Sequence, residues 1–218
     1  MYTLHTQVGT RATAAELVLH EGDLSYELRH LDITSDEHRS AEFLAVNPRG
    51  TVPALVTDGR TVACETIAIM MYLCDRHRLE HLAPAPEDES RGVMIDWITY
   101  HATEVQEPIK RYFYAHRHGG TEQVIQDVRD RARLLFNERW QLVENHLRDG
   151  GPFHLGDRFS IVDLYLLVTG SFSTPVEDQE YPAIKRCIDL TASRPKVADI
   201  YAKHLEGLRN IVEMGVPR

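Results

Sequence analysis

The segment from Asn47 to Leu73 has the residue types and spacing to bind a peptide through its backbone and its carboxylate. Two short apolar runs on either side of Asp58-Gly59 predict a β-hairpin. From Thr66 onward the apolar residues recur at helical spacing, so the sequence predicts a helix that begins at Glu65-Thr66. A helix start carries unpaired N–H groups and a partial positive charge, and it can therefore bind a carboxylate.

Pro53 lies inside the first apolar run, where a proline removes one donor of a β-ladder. Such a proline fits a sheet edge, a turn or a cis peptide bond. The backbone of Val52 should then be extended, with its hydrogen-bonding groups outside the ladder. A peptide could pair with Val52 while its carboxylate reached the Thr66 hydroxyl. The alternative interpretation is a proline turn, a hairpin and a helix cap that bind nothing.

Two motifs in this segment, N-P-R-G-T-V-P-A-L from Asn47 and E-T-I-A-I-M-M-Y-L from Glu65, resemble the glutathione site of the cytosolic glutathione S-transferases. The resemblance implies a cis bond before Pro53 and pairing of Val52 with the cysteinyl backbone of glutathione. It also implies that Glu65 and Thr66 hold the γ-glutamyl end of this co-substrate. Enzymes of this fold hold glutathione as its thiolate, because the thiolate and not the thiol is the nucleophile.

The loop after the first predicted strand should supply the group that stabilises the thiolate, because a free thiol is mostly protonated at neutral pH. Family members use Tyr, Ser or Cys there, and this loop contains none of them. The chain resembles the bacterial beta class most closely, which places the catalytic cysteine position at Thr10 and the adjacent serine position at Arg11. Thr10 could donate a hydrogen bond to sulfur, and Arg11 could stabilise the thiolate by its charge. Thr13 is a further candidate for the contact with sulfur. The alternative interpretation of the three residues is a loop threonine or helix cap and a solvated arginine, with no contact to sulfur.

The segment from Trp97 to Gln106 is similar to a beta-class helix that faces the active site and the partner subunit. The resemblance implies a homodimer, and it implies glutathione-site roles for four side chains of this segment: Thr99, Thr103, Glu104 and Gln106. Glu104 would approach the glutathione amine of the partner. The class also has a lysine that falls near Ser35 in this chain, so His38 or Arg39 would have to replace it.

The order of predicted elements divides the chain into two domains. Residues 1–80 follow the order β-α-β-α-β-β-α, which is typical of a thioredoxin-like α/β domain. Residues 81–90 contain two prolines and three charged side chains, and they predict a linker. No strand pattern returns in residues 91–218, so we expect an all-α helical-bundle domain with the electrophile pocket. Pro108 should kink or end its first long helix.

The formal net charge of −9 at pH 7 opposes binding to nucleic acid or to an anionic membrane. The sequence has no long apolar run and no signal-peptide pattern, so we expect a cytoplasmic location. We expect no metal, because the histidine pairs at chelating spacing lack accompanying carboxylates or thiolates. Those pairs are His77 with His81, and His116 with His118. The three cysteines form no C-x-x-C pair, and we expect reduced thiols.

The resemblance predicts a bacterial detoxification enzyme, a glutathione S-transferase that joins the glutathione thiolate to a hydrophobic electrophile. A specialised glutathione-dependent dehalogenase, isomerase or ether-cleaving enzyme is the alternative within enzymes. A non-catalytic binding protein that kept the fold is the alternative from another class, because the usual Tyr, Ser or Cys is missing. A conjugation assay with a panel of electrophiles distinguishes the three.

Overall fold

The computed structural model describes residues 1–173, 176–177 and 179–214, which form two compact units. The first unit contains Met1–Ala83 together with residues 192–214, and the second contains Pro84–Thr191. The predicted linker 81–90 spans the boundary between the units. The last helix, however, lies in the first unit and not in the predicted all-α domain. One reason is an ion pair between Arg194 and the buried carboxylate of Glu21, with Nε and Oε1 2.8 Å apart.

The first unit is built on a four-stranded mixed sheet in the order β2-β1-β3-β4. Its strands are β1 (Tyr2–Thr6), β2 (Tyr26–His30), β3 (Ala54–Thr57) and β4 (Arg60–Ala63). β1 runs parallel to β2 and antiparallel to β3, which in turn is antiparallel to β4. Asp58 and Gly59 have φ angles of 49° and 70°, as a two-residue hairpin with left-handed central residues requires. The predicted hairpin is therefore confirmed.

Helices complete both units. The first unit contains α1 (Ala12–Glu21), α2 (Ala41–Val46), α3 (Thr66–His77) and α9 (Pro195–Met214). The second contains α4 (Ser90–Tyr100), α5 (Gln106–Phe113), α6 (Glu122–Gly150), α7 (Ile161–Gly170) and α8 (Pro182–Ala192). The predicted fold class, a thioredoxin-like domain followed by a helical domain, is confirmed. No helix in the described part of the chain is long and apolar enough to cross a membrane.

The core of the first unit consists of apolar side chains from β1, α1, β3 and α3. Leu4, Leu17, Leu55, Ile69 and Leu73 are fully buried. Burial of each such side chain contributes about 1.5 to 3 kcal/mol. These contacts hold α1 and α3 against the sheet and so fix where each helix begins.

Helix α4 continues into a π-helical turn, His101–Val105, before α5. Pro108 lacks a backbone N–H, so the Glu104 carbonyl four residues earlier loses its helical donor. Arg139 donates from Nη1 to this carbonyl at 2.7 Å. The irregular turn thus lies on the N-terminal side of Pro108, and an arginine from α6 satisfies the freed carbonyl.

Candidate ligand site

The sheet topology brings the predicted site segments to one edge of the first unit. His5 lies opposite Ala54 and Leu55 opposite Ala63. The end of β1, the start of β3 and the end of β4 are therefore neighbours. The loop 7–11, the segment 47–53 and the start of α3 extend from these three strand ends, so the segments that carry Thr10, Arg11, Val52, Pro53, Glu65 and Thr66 meet at this edge.

The Val52–Pro53 bond is cis, as predicted. Val52 precedes β3, and its backbone has no hydrogen bond to any residue that the structure describes. The loop before it is fixed by Asn47, whose Nδ2 donates to the Thr51 carbonyl at 2.6 Å. The Val52 backbone is therefore held just before β3, at one end of the sheet, with its polar groups available to an extended peptide.

Helix α3 begins at Thr66 with no side-chain cap. Its first three N–H groups, those of residues 66–68, have no acceptor within the described ranges. The Thr66 side chain is nearly buried beside them, with 7% of the residue exposed. Glu65 accepts from Arg49 Nη1 at 2.9 Å in an exposed ion pair. The helix start thus offers N–H donors and a hydroxyl to a carboxylate.

The hydroxyl of Thr10 is engaged with its own loop. Its Oγ1 donates to the Gln7 carbonyl at 2.7 Å and accepts from the Ala12 N–H at 3.3 Å. Contact with a ligand sulfur would require the hydroxyl to leave Gln7. Thr13 is buried, and its Oγ1 lies 2.9 Å from His204 Nδ1. This geometry directs Thr13 toward α9 and leaves Thr10 and Arg11 as the candidates for the sulfur contact.

A cation adjoins the segment before Pro53. The guanidinium of Arg39 lies against Gly50, because a Cβ added at Gly50 would come within 2.7 Å of Arg39 Nη1. Arg39 is exposed, whereas His38 is partly buried beside Asp36, with Nε2 and Oδ1 4.0 Å apart. The structure therefore places the Arg39 charge beside the site segment.

The remaining predicted site residues lie in the second unit, where each has partners of its own. Thr103 donates to the Thr99 carbonyl at 3.0 Å. Glu104 Oε2 pairs with Arg139 Nη2 at 3.1 Å, and Gln106 accepts a hydrogen bond from Tyr165. Their roles toward glutathione stay predictions.

A buried polar cluster in the second unit was missed by the sequence reasoning. His154, Asp163 and Cys187 place their potential metal-ligand atoms within 4.8 Å of one another. Hydrogen bonds account for this geometry: Asp163 accepts from Nδ1 of His154 at 2.8 Å and from the Ser160 N–H at 2.8 Å. Burial raises the pKa of the Cys187 thiol, so no thiolate is available there. Ser160 and Asp163 form a capping box at the start of α7.

We expect the buried imidazole of His204 to make the stability of the protein pH-dependent. Burial lowers its pKa from 6.5 to about 4. In the unfolded chain His204 binds a proton as the pH falls below 6.5, whereas in the folded chain it stays neutral until about pH 4. We expect this residue to remove about 3 kcal/mol of unfolding free energy as pH falls across that interval.

Urea titrations between pH 7 and pH 4 measure this effect. His204→Asn should reduce the slope of the unfolding free energy against pH by the amount that corresponds to about one bound proton. His116→Asn, at an exposed histidine, should leave this slope unchanged. Equal slopes for wild type and His204→Asn would contradict the assignment.

Comparisons with known proteins agree with this architecture. The family model described as glutathione S-transferase, N-terminal domain, matches residues 11–76. Glutathione S-transferase GstA of Escherichia coli O157:H7 is 28% identical over 204 residues, which cover 92% of this chain and 96% of that protein. A glutathione transferase homolog from Sulfitobacter, crystallised with bound glutathione, is similar with a TM-score of 0.83 at 25% identity, over 94% of this chain and 99% of that one. A glutathione transferase from Methylococcus capsulatus is similar with a TM-score of 0.79 at 29% identity, over 94% of this chain and 100% of that one.

Proposed function

The chain belongs to the cytosolic glutathione S-transferase family, and we propose that it conjugates the thiolate of glutathione to a small, largely hydrophobic electrophile. One observation carries this proposal. The unpaired backbone of Val52 and the uncapped start of α3 lie at the same end of the sheet, where β3 begins and β4 ends. That arrangement suits a short peptide with a free carboxylate.

In the proposed complex, glutathione lies at this end of the sheet. Its cysteinyl backbone pairs with Val52, and its γ-glutamyl carboxylate accepts from the start of α3 and from Thr66, beside Glu65. Arg39 replaces the missing lysine and binds the glycine carboxylate, a role supported by its position against Gly50. The sulfur then points toward the loop of Thr10 and Arg11.

Thr66→Ala should weaken glutathione binding by about 1 to 2 kcal/mol, because a hydrogen bond to a charged group is lost. This corresponds to a dissociation constant raised about 5- to 30-fold, which titration calorimetry measures. Thr3→Ala is the matched control, since Thr3 lies near the other end of β1 and its hydroxyl donates to Glu27. Unchanged affinity in Thr66→Ala would contradict the placement.

In the chemical step, the thiolate attacks the electrophilic carbon, a C–S bond forms, and the leaving group departs with the electron pair of its bond. A thiolate is stabilised more by a fixed cation than by a neutral hydroxyl. An arginine guanidinium carries a fixed positive charge in proteins. We therefore assign the larger share of thiolate stabilisation to Arg11 and a smaller share to Thr10.

Activity should depend on this loop and not on any cysteine of the protein. Arg11→Ala should lower kcat/KM about tenfold, which is the effect of about 1.4 kcal/mol on the barrier, and Thr10→Val should lower it less. The variant with Cys64, Cys74 and Cys187 all replaced by serine should retain activity. Loss of conjugation in the cysteine-free protein alone would show that the sulfur site is assigned wrongly.

The proposal includes a homodimer in the cytoplasm, with no nucleic-acid or membrane partner, and a role in detoxification. The net charge of −9 supports the absence of polyanionic partners. Analytical ultracentrifugation should give a mass near twice 24.9 kDa. A monomer at micromolar concentration would contradict both the dimer and the contact of Glu104 with the partner's glutathione.

A non-catalytic glutathione-binding protein is the second candidate. The engagement of the Thr10 hydroxyl with Gln7 favours it, because no side-chain hydroxyl of the described loop is poised for sulfur. Binding of glutathione without conjugation of any electrophile in a panel would support this candidate. Turnover of a particular halide, epoxide or aryl ether would instead identify a specialised transferase.

A further inference from the structure

A cavity of about 370 Å³ lies in the first unit between the loop after β1 and one face of α9. Gln7 and Val8 form the loop side, and Lys203, Glu206 and Ile211 lie on the helix side. Asp32, which follows β2, completes the wall. The cavity begins two residues before Thr10, so it adjoins the loop that the proposed function assigns to the glutathione sulfur.

Gly207 allows the two walls of the cavity to lie close together. A Cβ on Gly207 would lie 2.6 Å from Val8 Cγ1, so α9 can approach the loop only because this residue has no side chain. The polar groups opposite α9 are fixed as well. Gln7 Oε1 accepts from the Ile33 N–H at 3.2 Å, and Asp32 Oδ1 accepts from the Thr34 N–H at 2.8 Å. The cavity thus has a fixed polar wall.

The charges that line the cavity are predominantly negative. Asp32 and Glu206 contribute two carboxylates, against the single ammonium of Lys203. Lys203 also faces Glu16: burial raises the pKa of Glu16, and the charge of Lys203 opposes that shift. The one cation that lines the cavity therefore also has an acidic neighbour outside it. A cavity with this balance attracts a cationic group and repels an anionic one.

We propose that this cavity binds the end of the electrophile remote from its reacting carbon, and that it selects a cationic, amine-like group over a carboxylate. The inference rests on the proposed transferase function and specifies its second substrate. Val8 and Ile211 contact the apolar body of the electrophile, and Glu206 is the residue that recognises the charge. Lys203 reduces the preference for a cation, because its ammonium group repels one.

Three para-substituted benzyl chlorides test this selectivity, since they share one reaction in which the glutathione thiolate displaces chloride. The substituents are trimethylammoniomethyl, methyl and carboxylate, and each rate is corrected for the uncatalysed reaction. In low salt the wild-type kcat/KM should be about tenfold higher for the cationic compound than for the anionic one. Glu206→Gln should reduce that ratio about threefold or more, and Lys203→Met should increase it. Glu213→Gln, an exposed glutamate of the same helix that does not line the cavity, should leave it unchanged.

Equal kcat/KM values for the three compounds, or a ratio that Glu206→Gln leaves intact, would overturn the proposal. If none of the compounds reacts, conjugation itself fails, and the cavity is then tested by calorimetry with benzyltrimethylammonium and 4-methylbenzoate. Preferential binding of the cation that Glu206→Gln weakens would support the cavity. No binding, or binding without preference, would overturn it.

Discussion

Replacing Gly9 with alanine is expected to lower the free energy of unfolding by about 4 kcal/mol, because strain and overlap add at this position. Gly9 has a φ of +83°, in the left-handed region that side chains disfavour. An added Cβ would also lie 2.3 Å from the Leu208 nitrogen, which is backbone and cannot rotate away. Urea unfolding at neutral pH measures the loss.

Gly59→Ala separates the two causes. Gly59 has a φ of +70°, and no atom of the described chain lies within 4 Å of the position that an added Cβ would take. Only the backbone strain remains, so we expect a loss of about 1 kcal/mol. Equal losses in the two variants would show that α9 does not pack against the loop after β1 as described.

Asp163→Ala should destabilise the protein by about 3 to 5 kcal/mol, because removal of a buried charge partner leaves its donors unpaired. The carboxylate is fully buried and accepts from the backbone N–H groups of His154 and Ser160, at 3.0 and 2.8 Å. It also accepts from the His154 ring and from the Ser160 hydroxyl. Thermal and urea unfolding should agree on the size of the loss.

Thr121→Ala is the matched control for this effect. Thr121 is the N-cap of α6, with Oγ1 accepting from the Val124 N–H at 3.4 Å, and it is exposed. Loss of an exposed cap costs about 0.5 to 1 kcal/mol. A similar small loss for Asp163→Ala would mean that the buried network does not stabilise the second unit.

Features encoded by neighbouring residues could be predicted from the sequence. Asp58-Gly59 specifies the hairpin, the change of periodicity at Thr66 specifies the start of α3, and Ser160 with Asp163 specifies the start of α7. In each case the hydrogen bonds and backbone angles involved span only a few residues. The same local information, read with the family resemblance, gave the cis bond at Pro53.

Features that depend on contacts distant in sequence could not be predicted. Cys187 meets Asp163 and His154 only after three separate segments have packed. Arg194 pairs with Glu21 across 173 residues, and such a pair leaves no local pattern in the sequence that would place the last helix beside the first unit. The engagement of Thr10 with Gln7 is local, but the sequence does not show whether a hydroxyl points inward or toward a ligand.

A crystal structure of the protein with bound glutathione tests the central claim most directly. We expect the cysteinyl backbone to pair with Val52, the γ-glutamyl carboxylate to contact Thr66 and the first N–H groups of α3, and the glycine carboxylate to contact Arg39. The sulfur should lie within hydrogen-bonding distance of Thr10 or Arg11. Glutathione bound elsewhere, or no glutathione beside Val52 and the start of α3 at a saturating concentration, would contradict the proposed site.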